Sequence, residues 1–239
     1  WLSKSLLNFQ KNLSDLNSLN ANLLSRPIVR RASTVLKKEI MRNNKDLSTS
    51  TVIPETTVSV YEAIFKRRSA WKFKNKSVPR EIIKKLLSTA AWAPNHRLTE
   101  PWRFFVLENG SLVRASLGDL VYEEMLKETG DAERASGYKS KILDPPVIIY
   151  VYNLKGDNDF VTRENYASVM MGIQNMSLAG FAEGLAVTLE TGKVTRVQGL
   201  NALLGASDDL EMVAMLEIGY PDEEPITNRL PVENLTDWL

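Results

Sequence analysis

The chain has 239 residues, 44% hydrophobic and 25% charged, a balance that suits a globular body with its own core. It has no cysteine and one histidine, which excludes disulfides, thiolate nucleophiles and sulfur or histidine-rich metal sites, and leaves any Ser-His-Asp machine only His96. The formal charge of +1 divides unevenly, nine Lys/Arg against four Asp/Glu in residues 1–57 and 21 against 25 in the remainder, so the larger piece makes no general electrostatic case for nucleic acid, and no run of ~18 apolar residues predicts a membrane span.

Residues 1–57 read as a basic N-terminal extension. Leu2, Leu6, Phe9 and Leu13 recur at helical spacing, as do Leu16, Leu19 and Leu23. Pro27 interrupts, residues 28–42 predict a second basic helix, and Leu47 to Thr57 reads as a Ser/Thr-rich linker. The segment is Arg- and Ser-rich and acid-poor, and Arg30-Arg31-Ala32-Ser33 resembles a processing site. It fits a transit segment or an amphipathic arm that packs on the body or a partner. The compartment stays open with it: cytoplasmic, or mitochondrial if the segment is a transit peptide.

From Val58 the pattern becomes compact. Val60 to Arg68 predicts a short helix. Pro79 suits a helix start, and Ile82, Ile83, Leu86, Leu87 and Ala90 form its apolar stripe. Phe104 to Leu107 predicts a buried strand. Ser111 can cap a helix to about Thr129, followed by a shorter helix over 132–143. Asp144-Pro145-Pro146 breaks the chain before a strand from Val147 to Tyr152. Residues 162–183 predict a long helix ended by Gly184, with Leu185 to Glu190 as a strand after it. Val194 to Leu204 predicts a helix, Glu211 to Tyr220 a last strand, and the proline-containing tail an extended segment. Helices outweigh strands, which points to a three-layer αβ or α+β fold around a small sheet. Neither GxGxxG nor GxxxxGK[ST] occurs.

Two segments carry chemistry. Lys66-Arg67-Arg68-Ser69 stands at a predicted helix end, where two guanidinium groups and a hydroxyl suit a phosphate monoester. The same residues also suit the carbonyls of a helix C-terminus. Residues 90–105 place Trp92 and His96 in a polar loop that runs through Glu100-Pro101-Trp102 into a strand, the kind of segment where ligand chemistry concentrates.

Arg67-Arg68-Ser69 with Phe73 and Val78-Pro79 comes first. Ala93-Pro94-Asn95-His96 and Glu100-Pro101-Trp102-Arg103-Phe104-Phe105 come second. The small-residue helix 162–183, the Gly184-Leu185 strand and Glu217-Ile218-Gly219-Tyr220-Pro221 follow. In this order, over 58–239, they resemble the flavin-dependent nitroreductase family. The resemblance implies an α+β, three-layer αβα fold with a central, mainly antiparallel sheet, in an intertwined homodimer with FMN at the subunit interface. It implies that Arg67, Arg68 and Ser69 hold the ribityl phosphate and that Arg229 joins them. Trp92 and His96 match loop positions that reach the flavin from the other subunit. Leu189, Glu190 and Thr191 match the strand end along the isoalloxazine ring, where a backbone N–H approaches N5.

The implied chemistry is ping-pong transfer from NADH or NADPH to a small acceptor such as a nitroaromatic, quinone or enone. The flavin carries it, so no catalytic side chain and no metal are expected. The alternatives are a non-enzymatic FMN-binding or interaction protein, or a specialised flavoenzyme of the same fold: a dehalogenase, a flavin-consuming enzyme or a heterocycle dehydrogenase. Three residues depart from the pattern. Trp71 stands where a second signature arginine is frequent, so that Lys72 or Lys74 would serve in its place. Glu100 stands for a frequent glutamine and is expected to pair with Arg97 or Arg103. Glu190 would bring negative charge near N5 and lower the reduction potential if its side chain points inward; the alternative is that only its backbone faces the flavin.

Overall fold

The computed structural model describes residues 53–239; the helices and most of the linker expected within residues 1–52 lie outside them. Helix α1 (Val60–Lys66) starts where the Ser59 hydroxyl accepts the Glu62 N–H at 3.1 Å. Helix α2 (Arg80–Ala91) begins directly after Pro79, whose φ of −58° is already helical. Its expected stripe turns inward, with Ile83, Leu86 and Ala90 buried.

Strand β1 (Trp102–Glu108) leads to α3 (Leu112–Thr129), which Ser111 caps as the sequence predicts. Helix α4 (Ala132–Leu143), strand β2 (Val147–Leu154), helix α5 (Asp159–Ala182) and strand β3 (Ala186–Glu190) follow. A short helix α6 (Leu200–Leu204) precedes strand β4 (Leu210–Gly219).

The strands form one sheet in the order β1-β2-β4-β3, and every pairing in it is antiparallel. One face packs on α2 and α5, through Ile83, Leu86, Val169, Ile173 and Met176 against Ile149, Val151, Val187 and Leu216. The other packs on α3, α4 and α6, through Leu117, Val121, Met125, Ile142 and Leu200 against Ile148, Tyr150 and Met215. The result is the three-layer αβα, α+β architecture that the sequence predicts.

Two local expectations fail. Phe104 to Leu107 is not a fully buried strand: among the described residues β1 is an edge strand paired only to β2, so Phe104 and Phe105 are half-buried and Val106 is 37% exposed. The helix expected over Val194 to Leu204 divides into a 3₁₀ turn (Lys193–Thr195) and α6, because Gly199 takes φ +86° between them.

Candidate functional site

Helix α1 ends because Arg67 turns to an extended ψ of 139°. The chain behind it folds back, and Arg68 Nη1 donates to the carbonyls of Phe65 and Arg67, both at 2.8 Å. Arg68 therefore serves the helix end. Arg67 is half-buried, and burial first, then the charges of Arg229 and Arg68, hold its guanidinium below the ordinary value. Arg229, 162 residues on in the tail, donates to the Thr227 hydroxyl at 2.8 Å. None of the three has a carboxylate partner among the described residues. Arg67 thus stands under like charge from both Arg229 and Arg68, a setting that an anion would relieve, while Glu223 and Glu224 line the pocket beside Arg68.

The tail reaches this place through a short antiparallel run. Phe73 bridges Pro221, the Lys74 N–H donates to Tyr220 O at 2.8 Å, and the Asp222 N–H donates to Lys72 O at 2.9 Å. One Glu223 carboxylate oxygen accepts the N–H groups of Trp71 and Lys72 at 2.6 and 3.1 Å. The run needs Gly219 at the end of β4, where an added Cβ would meet Phe73 at 2.7 Å and Pro146 at 2.8 Å. Ser69 is half-buried just before it, and Ala70 is tied to Thr188 of β3 by two hydrogen bonds.

The end of β3 therefore adjoins the Arg-Arg-Ser segment. Leu189 is 36% exposed and Thr191 is exposed. The Glu190 carboxylate does not stand free: one oxygen takes Lys141 Nζ of α4 at 3.0 Å and the Trp71 indole N–H at 3.4 Å. Trp71, in place of an arginine, thus engages a carboxylate. Glu190 and Glu217 face the same side of the sheet, since Glu190 pairs with Met215 and Thr188 with Glu217. Glu217 is 3% exposed, and its Oε1 has no hydrogen-bond partner among the described residues. Burial pushes its carboxyl up to about 7, helped by Glu190 and Asp144 and opposed by Lys141 and Arg114. Lys141 and Glu217 line an open cleft of about 420 Å³ with Trp71, Phe73 and Asp144.

The loop after α2 is a second cluster. Trp92 is 72% exposed, and His96 is exposed in a 3₁₀ turn. Three non-glycine residues here have left-handed φ: Arg97 at 61°, Leu98 at 49° and Glu100 at 47°. Such strain persists only where surroundings impose it. Asn95 imposes it, donating to Thr99 Oγ1 at 3.0 Å and Ser168 Oγ at 3.2 Å and accepting the Glu100 N–H at 2.8 Å. Thr99 passes the anchorage to Asn165 of α5 at 2.7 Å. Among the described residues no hydrogen bond or ion pair joins Trp92 or His96 to the arginines. The pairing expected for Glu100 fails: Arg103 Nη1 donates to its backbone carbonyl at 3.0 Å, and no ion pair of its carboxylate occurs among the described residues.

Sequence reasoning missed Lys141, Glu217, Thr188 and Asn95 as parts of these clusters. Glu217 had a visible signal, a lone acid in the apolar run Met212 to Ile218.

The model of the Nitroreductase family matches residues 64–220. A Bacillus subtilis protein described as an NAD(P)H nitroreductase, YfhC, is 29% identical over 176 residues, covering 72% of this chain and 90% of its own. The iodotyrosine deiodinase of Hydra vulgaris is 26% identical over 196 residues, covering 73% and 71%. The crystal structure of a nitroreductase-like family protein from Bacillus cereus superposes with a TM-score of 0.69 at 27% identity, over 78% of this chain and 99% of that one.

Proposed function

The chain belongs to the nitroreductase family and is by that membership an NAD(P)H-dependent flavin oxidoreductase, and from this premise we propose that it holds FMN in the sites just described and reduces small acceptors. The observation that carries the reading is that Arg229 and Arg68 both bear on Arg67 while none of the three has an ion-pair partner among the described residues. A flavin phosphate supplies that partner, so the residues present fit the group.

Arg67, Ser69 and Arg229 bind the phosphate, and Arg68, whose Nη1 is held by the carbonyls at the end of α1, joins them through its remaining N–H groups. Leu189, Glu190 and Thr191 lie along the ring. Trp92 and His96 reach the flavin of a second subunit, which makes the working unit a homodimer with FMN at its interface. When bound, FMN would supply the redox chemistry that links NADH or NADPH to a nitroaromatic, quinone or related acceptor in ping-pong order. The chain's own contribution is to bind, orient and set the local charge. We assign residues 58–239 to the flavin-binding domain and residues 1–57 to a basic extension. Among the described residues no helix is long and apolar enough to cross a membrane.

Initial rates with NADPH and menadione, both varied, test the order. Parallel double-reciprocal lines support it, and intersecting lines contradict it. A second reading, reductive deiodination of an aromatic substrate, draws on the likeness to iodotyrosine deiodinase. Product analysis with an iodophenol and with a nitroarene separates the two.

A further inference from the structure

Two residues that depart from the family signature, Trp71 and Glu190, meet at one point, and a third residue from another layer holds them there. Glu190 ends β3, and its carboxylate is 17% exposed. It is bonded by Lys141 Nζ at 3.0 Å and by the Trp71 indole at 3.4 Å, both on the same oxygen. Lys141 lies in the last turn of α4, so the ion pair ties the helix layer to the strand end. Glu217, on the same sheet face and almost fully buried, is the second acid there. Asp144 also acts on it, and Arg114 donates its own hydrogen bonds to the carbonyls of Ile142, Pro145 and Pro146. Among the described residues Lys141 is thus the one cation bonded to either glutamate.

We propose that Lys141 is a positioning residue for the flavin chemistry: it fixes the Glu190 side chain on the α4 side of the sheet and cancels its charge, and so raises the reduction potential of the site. The inference rests on the proposed placement of Leu189–Thr191 along the flavin ring. A negative charge beside an electron acceptor disfavours the reduced, more negative state, and in a partly buried place that effect is weakly screened. An ion pair of this kind would count for little on an open surface. Here its effect is read through a neighbouring redox group rather than through folding.

The test is the flavin midpoint potential of the FMN-loaded protein, with the flavin dissociation constant measured alongside. Lys141→Met is expected to shift the potential downward. Glu190→Gln is expected to shift it upward, and Glu190→Gln added to Lys141→Met should reverse most of the downward shift. Lys141→Arg keeps the charge and should hold the original value. Lys139→Met, which removes the pair between α4 and Asp119 of α3, is the control and should leave the potential unchanged. If flavin binds all variants equally and the potentials coincide, the role of Lys141 is overturned while the flavin reading stands. If Lys141→Met is too unstable to load, Glu190→Gln alone decides: an unshifted potential overturns the proposal. A parent protein that takes up no FMN would overturn the flavin reading together with this one.

Discussion

Ala70 and Thr188, 118 residues apart, exchange two hydrogen bonds: the Ala70 N–H donates to Thr188 Oγ1 at 2.9 Å, and the Thr188 hydroxyl donates to Ala70 O at 2.6 Å. Both residues are 1% exposed. This one side chain fastens the Arg-Arg-Ser segment to β3, so the proposed phosphate and ring contacts share a frame. Thr188→Val keeps the shape and strands two buried backbone groups, at about 1–3 kcal/mol for each. Urea unfolding should show a loss of about 2–6 kcal/mol, with weaker FMN retention. Thr188→Ser should recover most of both.

Arg67→Ala separates binding from folding. A charge-assisted hydrogen bond to phosphate is worth about 1.5–3 kcal/mol, so the FMN dissociation constant should rise roughly 10- to 100-fold. The flavin-free protein should melt no lower than the parent, because the substitution relieves repulsion from Arg229 and Arg68. Flavin fluorescence quenching and thermal melts check the two halves.

Glu217 predicts a pH dependence of stability. Its folded carboxyl is raised to about 7 from an ordinary 4.5, with burial the main cause. A raised acid binds its proton more tightly in the folded state. Stability from this group is therefore highest below 4.5, falls as pH rises from 4.5 to 7, and is flat above. The full fall is about 3 kcal/mol. Glu217→Gln should remove that slope and be more stable than the parent at pH 8, as urea midpoints at pH 5 and pH 8 would show.

Much of this arrangement is legible in the sequence, for local reasons. Ser59 and Ser111 cap the helices they precede, and the stripe of α2 marks its core face, because caps and periodicity act within a few residues. The arginines at 67 and 68 stand in a recognisable string. What the sequence hides depends on partners far along the chain. An apolar run such as Phe104 to Leu107 does not say whether its strand has one neighbour or two. Gly199 breaks a helical pattern only because its backbone adopts φ +86°. Glu190 could not be aimed without Lys141, which approaches from another layer. Arg114, alone among apolar neighbours on α3, is explained only by the carbonyls at the end of α4 that it satisfies.

Asn95→Ala should loosen the loop that carries His96 while leaving the body folded. It removes two donated bonds and the acceptor for the Glu100 N–H, which together hold three left-handed residues. A loss of about 1.4 kcal/mol in local protection corresponds to roughly tenfold faster amide exchange at Glu100. Exchange in β2 and β4 should be unchanged.

The central claim is that this chain is a working flavin oxidoreductase. The most direct measurement is the visible spectrum of the purified, FMN-supplemented and desalted protein under anaerobic conditions, before and after NADPH or NADH. The account predicts a retained flavin band that bleaches with a nicotinamide and returns when a quinone is added. A protein that stays colourless after incubation with FMN, or a bound flavin that neither nicotinamide bleaches, would contradict it.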